Sequence, residues 1–593
     1  MAVMSGAADS MLPKLVDDPE AVALAVEPWA QPGRKNKKTC RRALLVGSLM
    51  TLLLLACFVL GRESASSAAW LQIDLLAKLT AMNNGTAGAS TSAEPSIDRV
   101  TSIASGLTTT THAPHGRDEL LGGLLPAGMN RRTCRSRYES WRYYKYFPYA
   151  ASPHLQDKLR AYEARHRRCA PGTPLYAKSV EQLRSGRSAD GMECTYVVWL
   201  PFDGLGNRML SMVSGFLYAL LTDRVFLAAL PADSADLFCE PFPDTTWRLP
   251  LEDFPVADLL PRGQSIERSY TSLLDAKEVG PDANATAGVP PYVYVSLGWQ
   301  LKDPLFFCGE HQLVLGKVNW LLLYSDLYFS PSLYAVAEFQ DELRRLFPAK
   351  ESVGHLLSRY LFHPTNPVWS LTTRYYRSYL ATAKRRIGVQ VRMFSYGSIS
   401  ADDMYSQILA CSQQEHILPE TEDGDEDEVV AATRNGDNAD GSNSTAILVA
   451  SLYADYYERL RSRYYDHGAK GGERVAVFQP SHEERQATDN MAHNQRALAE
   501  IYLLSFSEEL LTSGRSTFGY VSSNLAGVRP TIMLTAYDHK IPEPPCRRAV
   551  SMEPCNLTPP LGVECRGKPV DKEDLARHLR VCEDSKDSVK LFD

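Results

Sequence analysis

Three short stretches combine residue types suited to holding a ligand that carries phosphate and sugar. The first is Asp203-Gly204-Leu205-Gly206-Asn207-Arg208. Its glycines let a ligand approach the backbone, and a helix opening there presents unpaired N–H groups to an anion. It lacks the third glycine of a dinucleotide fingerprint, so a tight turn with Asn207 capping a helix accounts for the same residues without a ligand. The second is Gly388-Val389-Gln390-Val391-Arg392. A guanidinium at a strand end binds a diphosphate bidentately and stabilises negative charge on a leaving group; a structural salt bridge is the alternative. The third is Ser513-Gly514-Arg515-Ser516-Thr517-Phe518-Gly519-Tyr520. Its hydroxyls and backbone N–H groups suit phosphate oxygens, while Ser516 could equally be a plain helix cap.

Each stretch sits where the hydrophobic pattern changes period. Thr195 to Leu200 is a continuous apolar run, so a buried strand. Asn207 to Thr222 has helical spacing and Arg224 to Ala229 is a second strand, which makes a βαβ unit. Arg386 to Met393 alternates with period two. After it come strands at 446–452, 475–478, 508–511 and 531–534, and helices at 453–465, 494–505 and 516–525. The expected fold class is α/β, with two Rossmann-like lobes facing a cleft. The lobes are expected over residues 118–380 and 381–545. Pro419 to Ser444 is acidic, rich in Gly and Asn, and reads as a disordered surface insertion. It lacks the glycine turn and terminal Glu of a calcium loop.

A chain of 593 residues is too long for one core. Its net charge of −7 removes any bulk electrostatic case for a nucleic-acid partner. The one membrane-length run is Ala43 to Gly61, 19 residues without a charge. Six positive charges precede it, over Arg34 to Arg42. The positive-inside rule then puts residues 1–42 in the cytosol and everything after Gly61 in a lumen. The preceding tail is too long, and the following Gly-Arg-Glu too unlike a cleavage site, for a signal peptide. Residues 62–117 are rich in Ser, Thr, Ala and Gly and read as a stem. Within it, Trp70 to Met82 has the pattern of a short amphipathic helix, a dimer contact or a fluctuating stem segment. Ten of the 12 cysteines follow Gly61, an even number suited to an oxidising lumen. Four of them, Cys546, Cys555, Cys565 and Cys582, mark residues 546–593 as a stapled tail. N-glycosylation sequons begin at Asn84, Asn284, Asn443 and Asn556.

Taken in order, DGLGNRMLS from Asp203, IGVQVRMF from Ile387 and STFGYV from Ser516 resemble the plant xyloglucan fucosyltransferase family, glycosyltransferase family 37. Supporting stretches start at Cys134 (CRSRYESWRYY), Leu237 (LFCEPFPDTTW), Ser325 (SDLYFSPSLY) and His493 (HNQRALAEIYLLSFSE). The resemblance runs from about Arg132 to the C-terminus. It implies a single-pass Golgi enzyme of GT-B-type fold with a lumenal catalytic region. The enzyme would move L-fucose from GDP-fucose to the 2-hydroxyl of a galactose, with inversion. Arg392, with Gln390 beside it, would hold the diphosphate in place of a metal. No cofactor is expected. Ser516, Thr517, Phe518 and Tyr520 would line the donor pocket, and Asn207 and Arg208 would close the cleft from the other lobe. His493 is open between a donor-pocket and a structural role.

A single displacement needs leaving-group stabilisation and positioning more than a covalent nucleophile. Asp326 is the candidate general base, with a helix-capping or surface role, or a water-relayed proton, as alternatives. Xyloglucan is the first acceptor to expect. Galactose on arabinogalactan protein or pectin, and a silent scaffold in a Golgi enzyme complex, are the rival readings. A glycosidase would need paired carboxylates about the sugar, and no such motif stands out.

Overall fold

The computed structural model describes residues 117–593 apart from 190, 259–268, 281–288, 395–398, 423–443, 537–539, 567 and 570–577. The expected cytosolic tail, the apolar run 43–61, the expected stem with the helical pattern over 70–82, and the sequons at Asn84, Asn284 and Asn443 therefore lie outside the described residues. Among the described residues no helix is long and apolar enough to cross a membrane. Everything below concerns the compact unit Thr109–Asp593.

The first sheet has four parallel strands: β1 (Tyr196–Leu200), β2 (Val225–Ala228), β3 (Tyr292–Ser296) and β4 (Trp320–Tyr324), in the order β2-β1-β4-β3. Every residue of these strands is buried, which is why their sequences are unbroken apolar runs. Helices cover both faces. α1 (Pro153–Cys169) packs Leu155, Leu159 and Tyr162 on the face of Val197 and Trp199, and α2 (Pro174–Ser185) packs Tyr176, Val180 and Leu183 on the face of Tyr196 and Val198; Ser152 and Thr173 open them, their side chains accepting from the N–H groups of Leu155 and Tyr176. Each cap is worth about 1 kcal/mol. α3 (Leu205–Leu221) follows β1 directly and is buried along most of its length.

The second sheet holds β5 (Arg385–Val391), β6 (Ser444–Ser451), β7 (Arg474–Phe478), β8 (Glu509–Ser513), β9 (Thr531–Met533) and β10 (Cys546–Arg548). Their order is β10-β9-β8-β5-β6-β7, with β10 antiparallel and the rest parallel. Two helices, α4 (Val353–Leu361) and α5 (Asn366–Tyr375), join the sheets. α6 (Ala401–Glu415), α7 (Asp455–Asp466), α8 (Met491–Ser505) and α9 (Thr517–Ala526) complete the second lobe. Two parallel α/β lobes fit the GT-B-like class.

The lobes share one core. Leu498, Tyr502, Phe506 and Leu525 of the second lobe belong to the same apolar cluster as Phe216 and Tyr360 of the first. Arg359 of α4 is buried and donates to the Leu525 carbonyl (2.9 Å), near the C-terminal end of α9. A cation there satisfies open carbonyls and opposes the helix dipole. Its guanidinium lies 4.0 Å from the centre of the Tyr144 ring.

All ten cysteines beyond Gly61 are paired, as Cys134–Cys239, Cys169–Cys194, Cys308–Cys565, Cys411–Cys546 and Cys555–Cys582. The tail expected from 546 onward begins as β10, an edge strand of the second sheet. It continues through β11 (Glu564–Cys565) against β12 (Lys568–Pro569) and β13 (Leu579–Cys582) against β14 (Ser585–Leu591). Asn556 is fully buried and donates to Ser332 Oγ (2.7 Å). That corrects the expectation of a glycan there, because an enclosed, bonded amide leaves no room for one. The acidic insertion also opens later than expected: Glu420 pairs with Lys470 and Thr421 bridges to Ala469, so Pro419 to Glu422 belong to the fold.

Candidate active site

The C-terminal ends of β1, β4, β5 and β6 face one cleft of about 500 Å³. That is where ligands bind in open parallel sheets. Of the residues expected at the site, Asn207, Asp326, Gln390, Arg392, His493, Ser516, Thr517 and Phe518 line it. Two do not. Arg208 is held by Asp233 (2.6 Å), Ser234 (2.6 Å) and the Asp203 carbonyl (2.8 Å), so it fixes the turn before α3 instead of facing the cleft. Tyr520 is buried and donates to Asp584. One turn along α9 from Ser516, it points into the protein.

The two helix-opening stretches meet. Thr517 Oγ1 donates to Asn207 Oδ1 (2.6 Å), joining the N-termini of α3 and α9 across the lobes. Gly206 permits this: a Cβ there would lie 2.7 Å from Thr517 Oγ1 and 2.9 Å from the Phe518 nitrogen. Both turns carry a non-glycine residue in the left-handed region, Asp203 with φ 61° and Arg515 with φ 58°. Such backbone persists only where its surroundings enforce it. At Arg515 the enforcing group is Asp584, whose Oδ2 accepts from the Arg515 N–H (2.6 Å) and from Tyr520. The Asp584 carbonyl also accepts from Arg515 Nε (3.3 Å).

Arg392 follows the last residue of β5. Its N–H donates to Ser513 Oγ (2.9 Å), which ties it to β8, and its guanidinium lies 5.6 Å from the centre of the Phe394 ring. Arg392 and the opening of α9 thus bring a guanidinium and helix N–H groups to one side of the cleft, which Arg515 also lines while its guanidinium bonds the Asp584 carbonyl and Ser585 Oγ (3.4 Å). Donors of this kind suit phosphate oxygens. Gln390 Oε1 accepts from the Ser513 N–H (3.3 Å) and steadies the same turn.

Opposite stands Asp326, just beyond β4, 3% exposed. Burial pushes its carboxyl up to about 6, the charge of Asp203 adds to this, and the N–H of Trp299 bonded to Oδ1 (3.1 Å) opposes it. A carboxylate with that value is ionised at neutral pH yet basic enough to take a proton from a hydroxyl under attack. At the far wall, His493 Nδ1 pairs with Glu483, which also pairs with Arg496. Glu500 lies beside them, bonded to Ser481, and burial pushes it up to about 8.

A sequence profile of the xyloglucan fucosyltransferase family matches residues 96–566. The chain belongs to that family of enzymes. It is 44% identical over 481 residues to a galactoside 2-alpha-L-fucosyltransferase of Pisum sativum, covering 80% of this chain and 82% of the relative. It is 44% identical over 478 residues to one of Arabidopsis thaliana, covering 80% and 83%. A solved structure of an Arabidopsis thaliana fucosyltransferase mutant in complex with GDP superposes with a TM-score of 0.72 at 43% identity, covering 80% of this chain and 100% of that one. This fucosyltransferase thus places the three stretches that carried the resemblance around one cleft. Sequence reading missed Trp299, Glu483, Glu500, Arg515 and Asp584. Arg515 lay inside a stretch singled out for chemistry and Glu500 inside the His493 stretch; Trp299 and Glu483 reach the cleft only through tertiary packing, and Asp584 acts behind it through Arg515.

Proposed function

We propose that this fucosyltransferase transfers L-fucose from GDP-fucose to the 2-hydroxyl of galactose on xyloglucan, with inversion, in the Golgi lumen and without a metal. The observation that carries the reading is a single cleft with a diphosphate-binding wall, Arg392, Arg515 and the opening of α9, facing an elevated carboxylate, Asp326. The printed names of the pea and Arabidopsis relatives, and the GDP in the solved relative, support donor and bond. Asp326 takes the proton of the attacking hydroxyl while the two arginines stabilise the charge gathering on GDP. Those arginines occupy the role a divalent cation would otherwise fill.

The test is transfer by the full-length chain onto galactose-bearing xyloglucan, arabinogalactan and pectic galactan, with linkage and anomeric configuration read by nuclear magnetic resonance. A 2-linked α-fucose on xyloglucan, unaffected by EDTA, is the expected product. Activity abolished by EDTA and restored by manganese would refute the arginine-for-metal part. Transfer to another galactan alone would refute the acceptor.

A further inference from the structure

The cleft has a side that the diphosphate does not need. Trp199, Trp247, Trp320 and Trp369 are wholly buried, as a large apolar ring should be. Trp299 is 59% exposed and lines the cleft. Its position is fixed from both ends of its peptide. Its N–H donates to Asp326 Oδ1 (3.1 Å), and its carbonyl accepts from Thr558 Oγ1 (3.5 Å). Gly298 makes the first contact fit, since a Cβ there would sit 3.1 Å from Asp326 Oδ1. Thr558 lies three residues after Cys555, whose bond to Cys582 braces that stretch within the tail. Leu557 adds a second apolar surface.

A pyranose ring has an apolar face of C–H bonds and a rim of hydroxyls. An exposed indole accepts the face, and nearby polar groups accept the rim. We infer that Trp299 is the platform of an acceptor subsite, on which a pyranose of the acceptor stacks with a hydroxyl turned to Asp326. This rests on the transferase reading above and adds the residue that holds the acceptor. Because the same peptide that carries the indole bonds the candidate base, stacking and proton acceptance are set by one loop. The platform stands on the first lobe, apart from the arginines, so acceptor and donor affinities separate.

The experiment compares full-length wild type, Trp299→Ala and Trp299→Phe. Calorimetric titrations use GDP and a galactose-terminated xyloglucan oligosaccharide, and steady-state assays give the acceptor KM. Trp299→Ala should weaken oligosaccharide binding and raise the acceptor KM at least about tenfold, with GDP affinity within about twofold of wild type. Trp299→Phe, which keeps an aromatic face, should recover most of the loss. Oligosaccharide binding unchanged in Trp299→Ala, or GDP affinity lost in parallel, would overturn the subsite. Should no chain transfer fucose while Trp299→Ala still loses the oligosaccharide, the subsite stands and the transferase reading falls.

Discussion

At the scale of the residue, the chemistry turns on Asp326. Its carboxyl is raised to about 6, so the basic form is present above that value and is lost as pH falls through it. The kcat/KM profile should therefore fall on its acid side about tenfold per pH unit below about pH 6. Asp326→Asn should lower kcat by about 10²–10⁴-fold and remove that limb, with GDP binding retained. A variant with wild-type turnover would remove Asp326 from the chemistry. Arg392, Asn207 and Thr517 were legible because each sits where a strand ends or a helix begins, and such junctions show in the hydrophobic pattern; Asp326 came only from the Ser325 stretch of the family resemblance, since β3 and β4 were not read from the apolar pattern. Tyr520 was misplaced for a physical reason: side chains four apart share a helix face only roughly, and the Asp584 carboxylate draws this one inward. Trp299, Glu483 and Asp584 carry no local signature. The first two reach the cleft from loops, and Asp584 supports it from the tail, a meeting that only the folded chain makes.

At the scale of the element, two helix openings form the joint between the lobes. The strands and helices around them could be read to within a few residues, since parallel strands buried on both faces are uninterrupted apolar runs. The contact between α3 and α9 could not, because nothing in either stretch names its partner. The contact has no slack. Gly206→Ala would drive a methyl group into Thr517 and the Phe518 backbone. The variant should lose about 1–3 kcal/mol of stability and a large part of kcat, measured by denaturant unfolding and by transfer assay. Unchanged stability and activity would show that the joint yields. A helix pair held this closely sets the distance between donor wall and acceptor wall, and small misplacements of reacting groups are expensive in rate.

At the scale of the whole molecule, the C-terminal tail completes the fold. It was foreseen as a stapled wrap; its route could not be, because cysteine spacing does not fix pairing. Cys308–Cys565 closes a separation of 257 residues, which in a chain-entropy treatment is worth about 5 kcal/mol. Glu553 in this tail accepts from the Tyr328 hydroxyl (2.6 Å) and the Gly354 N–H (2.8 Å). Burial pushes it up to about 8 from an ordinary 4.5. The folded state keeps a proton that the unfolded chain releases, so the contribution is whole below about pH 4.5 and lost as pH rises through about 8. The melting temperature should fall between about pH 4.5 and 8, and Glu553→Gln should flatten that slope; parallel slopes for both proteins would contradict it. The central claim, that this cleft moves fucose from a nucleotide diphosphate held by arginine, is met most directly by one product analysis. Full-length wild type and Arg392→Ala are incubated with GDP-fucose and galactose-bearing xyloglucan, and the acceptor is weighed by mass spectrometry. Wild type should add one deoxyhexose, and a folded Arg392→Ala should lose at least about 10²-fold in rate. No added mass with wild type on this or any galactan, or equal transfer by Arg392→Ala, would contradict that claim.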